Sequence, residues 1–306
     1  MADINRTTNN MVLPSEVSNE ILQKTQEASA IMQLARRVTL PGRGLTIPVI
    51  TGDPTAAWVA ETAVKPHSNG TPATKLMQAY TIAVIETFSN QFRRDIPALY
   101  DAMVQRLPGA LARVFDATVV GAVQAPGNNF DTFANCTKQS ILNANNGTYL
   151  GLVAADTDIA THGGILSGFA MSAQARGLLL TATDTTGRPL FLNGATEGAV
   201  NRVLGVPSYF GNGVYKAGTA ASGQTAGTAA IVGIAGDWTK ALYGTVSGVQ
   251  ITISEEATIT GTDANNQAYT INLWQQDMFA VRAEIEIGFR ADTSCFNLLT
   301  GAVPSE

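Results

Sequence analysis

Catalysis needs a nucleophile, a base, a set of metal ligands or a phosphate cradle at fixed spacing, and this sequence offers few candidates. It holds two histidines, His67 and His162, and two cysteines, Cys136 and Cys295. Neither HExxH nor CxxC spacing occurs, so a zinc site has no framework. GxSxG is absent, and so are GxxxxGK[ST] and any GxGxxG between a strand and a helix. His67 falls in a PHSNGTP turn and His162 beside two glycines, so both read as solvated loop residues in preference to general bases. Glu255 and Glu256 follow a strand and read as its solvated end, not as an acid/base pair. The reading is no catalytic residue, no cofactor, no metal and no enzyme.

What remains is chemistry of recognition. Two arginine pairs, Arg36 with Arg37 and Arg93 with Arg94, flank a ribbon-like stretch carrying Trp58, Glu61, Lys65 and Tyr80. The arginines are either paired solvated charges or partners in ion pairs between subunits, for instance with Glu61, where charge sets register more than affinity. Trp58 is either an interface anchor or a same-face partner of Tyr80. These eight residues form the candidate subunit interface.

Several elements must position them. Val17, Ile21, Leu22, Ala28, Ile31 and Leu34 recur at spacings of three and four, predicting one or two short amphipathic helices after Pro14, either a surface helix or a docking arm. Leu45 to Val49 reads as a short strand at an edge, because Pro48 cannot donate to a ladder. Ala56 to Lys65 alternates and Leu76 to Val84 alternates back, predicting a long hairpin between Thr55 and Ile85. Two strands alone are marginal in water, so such a ribbon must lie on something.

A long helix is predicted from about Asp95 to Val123. Pro97 sits in its first turn, and Pro108 inside it implies a kink or two consecutive helices. Residues 124–147 read as an irregular connection. Further on the pattern predicts helices at 149–160 and 172–180, strands at 165–171, 203–210, 229–238 and 249–254, and a mobile loop over 216–228. In Met278 to Arg290, Val281, Ala283, Ile285, Ile287 and Phe289 alternate with Arg282, Glu284, Glu286 and Arg290, which predicts one core face and one wet face.

Composition narrows the function. The 306 residues suffice for one large domain or two ordinary ones, and 45% hydrophobic residues describe a globular chain. Only 14% are charged, leaving a weakly charged surface suited to meeting other protein surfaces. Residues 1–120 carry 11 basic and 10 acidic side chains and the remainder 8 and 14. That is no nucleic-acid footprint. Two cysteines make no disulfide framework, although one bridge is possible, and no apolar run is long enough for a signal peptide or a membrane span.

The order of the elements adds to this. LARRVTLPGRGLTIPVITGDPTAAWVAETAVKP, the return through QAYTIAVIETFSNQFRRD and the helix ALYDAMVQRLPGALARVFDATVVGA together resemble the major capsid proteins of tailed double-stranded DNA phages, with the Hong Kong 97-like fold. GFAMSAQARGLLLTATDTTGRPLF, VLGVPSYF, AIVGIAGDWTKALYG and DMFAVRAEIEIGFRADTSCFNLLTG resemble later segments of the same family. Each piece is degenerate, but their sequence of appearance is specific.

The resemblance implies an α+β fold. Residues 1–50 would be an N-terminal arm with the first strand, 51–86 an extended hairpin loop, 87–149 with 275–306 a peripheral domain built on the spine helix, and 150–274 an axial domain. It implies a homo-oligomer of hexamers and pentamers closing an icosahedral shell around double-stranded DNA without sequence-specific binding or a membrane. The virion capsid would assemble in the bacterial host cytoplasm, with a separate scaffolding protein, a portal and decoration proteins as further partners. Many members begin with a scaffolding segment that is removed, whereas this chain runs from Met1 straight into the arm, so the resemblance implies a version with a separate scaffolding protein or one needing none. Some family members join a loop lysine to an asparagine of another subunit. Lys65, Lys75 and Asn297 stand in comparable places, but the supporting glutamate has no match, so cross-linking is not expected. The alternative within the same fold is an encapsulin, a bacterial shell that holds protein cargo.

Overall fold

The computed structural model describes residues 24–26, 28–42, 44–51, 58–59, 64–65, 71–90, 96–142, 147–184, 186–191, 202–222, 226–262 and 267–304. The amphipathic pattern from Ser15 to Leu22 lies outside them. Its continuation forms a short helix, α1 (Ala30–Leu34), which Ser29 caps by accepting from the Met32 N–H, and which buries Ala30, Ile31 and Met32. Strand β1 (Arg36–Thr39) follows directly.

The ribbon is real but paired differently from the expectation. Its strands are β2 (Leu45–Thr51) and β3 (Thr71–Met77), antiparallel from Leu45 opposite Met77 to Thr51 opposite Thr71. Trp58, Val59, Val64 and Lys65 belong to no strand. Pro48 sits within β2, which an isolated two-stranded ribbon tolerates because each strand has an unpaired edge. At the root, Gly44 has φ +85, and a side chain there would meet the Met77 carbonyl at 2.6 Å, so only glycine closes this corner.

The second part of the return belongs to the body. β4 (Tyr80–Ser89) pairs along its whole length with the late strand β14 (Met278–Ala291). Between them in sequence comes α2 (Ile96–Val120), whose 25 residues give about 37 Å of helix. It passes through Pro108 as one element, so the option of two separate helices is excluded. Leu107 and Leu111 pack on Val281, Ala283 and Ile285, while Phe115, Val119 and Val120 reach a second cluster one to two turns later.

The body contains two sheets. In the first, β14 pairs antiparallel with β4, with β10 (Ala241–Thr245) and with β11 (Gln250–Ser254), and β1 joins β10 in parallel. The second has the order β5-β15-β9-β6-β8-β7, made of β5 (Thr137–Ser140), β6 (Gly168–Met171), β7 (Arg202–Val203), β8 (Val206–Phe210), β9 (Ile231–Gly236) and β15 (Phe296–Thr300). Every residue of β6, β9 and β15 is buried, as expected for central strands covered on both faces. Helix α3 (Gly147–Thr161) packs on β15 and β9, and α4 (Ala173–Thr181), capped by the Ser172 hydroxyl, packs on β9. A separate hairpin, β12 (Thr258–Thr262) with β13 (Ala268–Asn272), stands apart as its own two-stranded sheet.

An aromatic cluster welds the sheets together. Phe289 of β14 lies 5.6 Å from Phe133 and 6.0 Å from Phe115, Phe133 stacks on Phe296 of β15 at 4.4 Å, and Trp238 meets Phe296 at 5.2 Å. Trp238 also donates its indole N–H to the Gly168 carbonyl, so its polar atom is satisfied in the core.

Three other expectations change. The run 203–210 is two strands, because Leu204 at φ 50 and Gly205 at φ 83 form a tight left-handed turn between β7 and β8. Within the 216–228 segment, described here except for 223–225, Lys216 is bridged to Ile231 and Thr219 to Thr228. The wet face assigned to β14 ends before Arg290, which is buried.

Candidate subunit interface

The eight interface candidates divide by location. Glu61, Arg93 and Arg94 lie outside the described residues. Trp58 and Val64 are fully solvent-facing in the isolated chain, Lys65 is exposed and Val59 is partly exposed. Tyr80 is half-buried in the body, edge-on to Phe130 at 6.3 Å. Trp58 and Tyr80 are therefore not packed as same-face partners. Arg36 and Arg37 are exposed on β1, and Arg37 reaches the Thr245 hydroxyl on its own sheet at 3.5 Å.

The ribbon's root is held by a residue that alternation had placed in water. Arg290 donates from Nε and from one terminal nitrogen to the Leu76 carbonyl at 2.9 and 2.6 Å. The same guanidinium donates to Asp131 Oδ1 at 2.7 Å and to Asn129 Oδ1 at 3.0 Å, and the other Asp131 oxygen accepts from the Ala291 N–H. Asn129 in turn donates to the Gln78 side chain. One buried guanidinium thus joins the Leu76 carbonyl of the ribbon, the loop after α2 and β14. Its rigid fork suits the task, since several acceptors at fixed angles can share it. Gly288 lets the chain cross there, because a side chain at that position would meet the Gln78 carbonyl at 2.6 Å. The only signal for this clamp in the sequence was an arginine at the end of an apolar alternation, and its partner Asp131 sits in an irregular Gly/Asn stretch that no periodicity marks.

Beside the root, an apolar cavity of about 290 Å³ opens between β4 and α2, lined among others by Tyr80, Ile82, Val114, Val123, Pro126 and Phe130. Further exposed apolar side chains include Ile165, Tyr269 and Trp274. Among the described residues no group of three or more His, Cys, Asp or Glu could hold a metal ion, and no helix is long and apolar enough to cross a membrane. Both cysteines are free thiols. Burial pushes Cys136 up to about 12, and Cys295 is enclosed with the Lys240 ammonium at 3.1 Å. Asn297 is fully buried on β15 and donates to the Ala155 carbonyl.

A chain with a solid body, a clamped ribbon, and Trp58 and Val64 exposed between the ribbon's strands matches the phage capsid family model over residues 9–291. The chain belongs to the phage capsid family. It is 27% identical to a probable major capsid protein of Mycobacterium phage L5, over 96% of this chain and 90% of that one. It is 26% identical to the major capsid protein of Staphylococcus phage 80alpha, over 96% and 88% respectively. A solved chain of Microbacterium phage Oxtober96 superposes with a TM-score of 0.67 at 21% identity, covering 90% of this chain and 91% of that one. Another, from Gordonia phage Cozz, gives 0.66 at 21%, covering 90% and 87%. These likenesses cover 90–96% of the capsid protein's chain. They favour a phage shell over the encapsulin alternative.

Proposed function

We propose that this major capsid protein of a tailed phage builds an icosahedral shell of hexamers and pentamers around double-stranded DNA. The observation that carries this reading is the ribbon: β2 and β3 form a sheet of their own, fixed at one end by Arg290, while Trp58 and Val64 beyond it are left in water. A two-stranded sheet with an apolar end gains stability when a second copy covers it. On this reading residues 1–50 act as the arm, 51–86 as the extended loop, 87–149 with 275–306 as the peripheral domain and 150–274 as the axial domain. Arg36, Arg37, Glu61, Lys65, Arg93 and Arg94 set register at the contacts, and Trp58 anchors them.

The weak surface charge supports a wall that encloses DNA without gripping it. Assembly in the host cytoplasm, with a separate scaffolding protein, a portal and decoration proteins, completes the reading. The test is electron microscopy of the protein expressed with its phage's assembly genes. Closed particles of uniform size are expected. Persistent monomers under all assembly conditions overturn the proposal, and cages filled with protein cargo in place of DNA would return the encapsulin reading.

A further inference from the structure

Asp116, one turn before the end of α2, has a fully enclosed carboxyl group that the shell reading does not use. Its oxygens point at the N-terminal segment. Oδ1 accepts from the Ser29 hydroxyl at 2.5 Å and Oδ2 from the Ala30 N–H at 3.2 Å. Ser29 Oγ meanwhile accepts from the Met32 N–H at 3.0 Å, so the carboxyl and the α1 cap form one chain of hydrogen bonds. The loop after β8 closes over it. A side chain at Gly211 would fall 3.0 Å from Oδ2, and one at Gly213 would fall 2.6 Å from the Asp116 Cβ. Two glycines therefore let the loop seal the carboxyl between the N-terminal segment and the spine helix.

Among the described residues no cation acts on its charge. On the packed elements the ionisable groups are Lys24 and Arg36 to either side of α1, Arg113 on α2 and Lys216 beyond the loop, with Glu27 outside the described residues. Arg36 and Arg113 are exposed, and the Lys216 ammonium donates to the Gly121 carbonyl at 2.9 Å. Burial dominates and raises the carboxyl to about 7, against the opposing pull of the hydrogen bonds from Ser29, Ala30 and Ile31. A buried carboxylate without a cation is costly, whereas the neutral acid fits the same space.

We propose that Asp116 is a proton-operated latch that holds α1 on the spine helix, tight when the carboxyl is neutral and loosened when it ionises. The sign follows from linkage. With α1 detached the carboxyl meets water and titrates near its usual value of about 3.9, while docked it holds its proton to about 7. Docking is strongest below about 4, weakens as pH rises from there through about 7, and is flat above. The charge change occurs on a contact between two elements, so it acts on their docking before it acts on the core.

Hydrogen exchange of the full-length protein at pH 5.5 and 8.5, corrected for intrinsic rates, tests this. The expected result is a drop of about tenfold or more in protection of the 30–35 amides at the higher pH, with β15 unaffected. Asp116→Asn keeps the shape and removes the titration, so its protection should be flat across the interval. Should that variant not fold, Ser29→Ala removes a donor that favours the charged form and should move the wild-type transition to higher pH. The proposal is overturned by equal wild-type protection at both pH values, by a parallel loss in β15, by an undiminished slope in Asp116→Asn, or by an unmoved midpoint in Ser29→Ala.

Discussion

Two tryptophans mark opposite ends of this molecule's design. Trp238 is 2% exposed, stacked edge-on against Phe133 and Phe296, with its indole N–H bonded to Gly168. Trp58 is fully exposed and belongs to no strand. The same side chain joins two sheets of one chain in one place, and in the other stands in water in the single chain, where the proposed shell would cover it. On the proposed function the apolar surface of this capsid protein is divided between folding and assembly, and burial is what would tell the two shares apart.

The largest effect on the isolated chain is expected at the buried end. Trp238→Ala removes a ring packed on two phenylalanines and leaves the Gly168 carbonyl without its donor, at a cost of about 3–5 kcal/mol. Urea unfolding of the unassembled protein should show the midpoint falling sharply. A midpoint within error of wild type would mean that the aromatic cluster is not what joins the sheets.

The folding share was the more legible in sequence. The alternation through Met278–Arg290 marked β14, and its apolar residues Val281, Ala283, Ile285, Ile287 and Phe289 are all buried. The spine helix was legible from Leu107, Leu111 and Phe115, and Ser172 was visible as the start of a helix. What failed depended on contacts distant in sequence. β12 and β13 are rich in threonine and carry little apolar contrast, so their pairing leaves no periodic trace. β10 contains Gly244, which reads as a breaker, yet glycine is required there because Leu40 fills the space a side chain would take. In the candidate interface, the described residues of the Ala56–Lys65 alternation, Trp58, Val59, Val64 and Lys65, lie in no strand, whereas Leu45–Thr51, where Pro48 had suggested an interruption, is a paired strand. Arg290 was assigned to water because its acceptors lie more than one hundred residues away.

Arg290 is also where the two shares meet, so its loss should have an intermediate effect. Arg290→Met keeps the stem but strips donors from the Leu76 carbonyl, Asp131 and Asn129, leaving partly buried acceptors unsatisfied. About 1–3 kcal/mol of chain stability should go, with added hydrogen exchange in β2 and β3. Lysine at the same position should recover part of the charge pairing but not the forked contact to Leu76. If both variants leave exchange in β2 and β3 unchanged, the ribbon root is held by the backbone corner at Gly44 and not by the guanidinium.

Trp58→Ala should do least to the single chain and most to the assembly. With the ring already in water, its removal costs the isolated protein less than about 0.5 kcal/mol, and unfolding in urea should superimpose on wild type. A covered ring at a subunit contact is worth about 1 kcal/mol or more, and the loss recurs at every equivalent contact in the particle. Particles of the variant should therefore dissociate at lower denaturant or temperature than wild-type particles, read by light scattering while the chain itself stays folded. Comparable damage to chain and particle would make Trp58 a folding residue like Trp238. Undamaged particles would place the contact elsewhere on the exposed apolar surface, with Trp274 and Tyr269 beside the second hairpin next to be mutated.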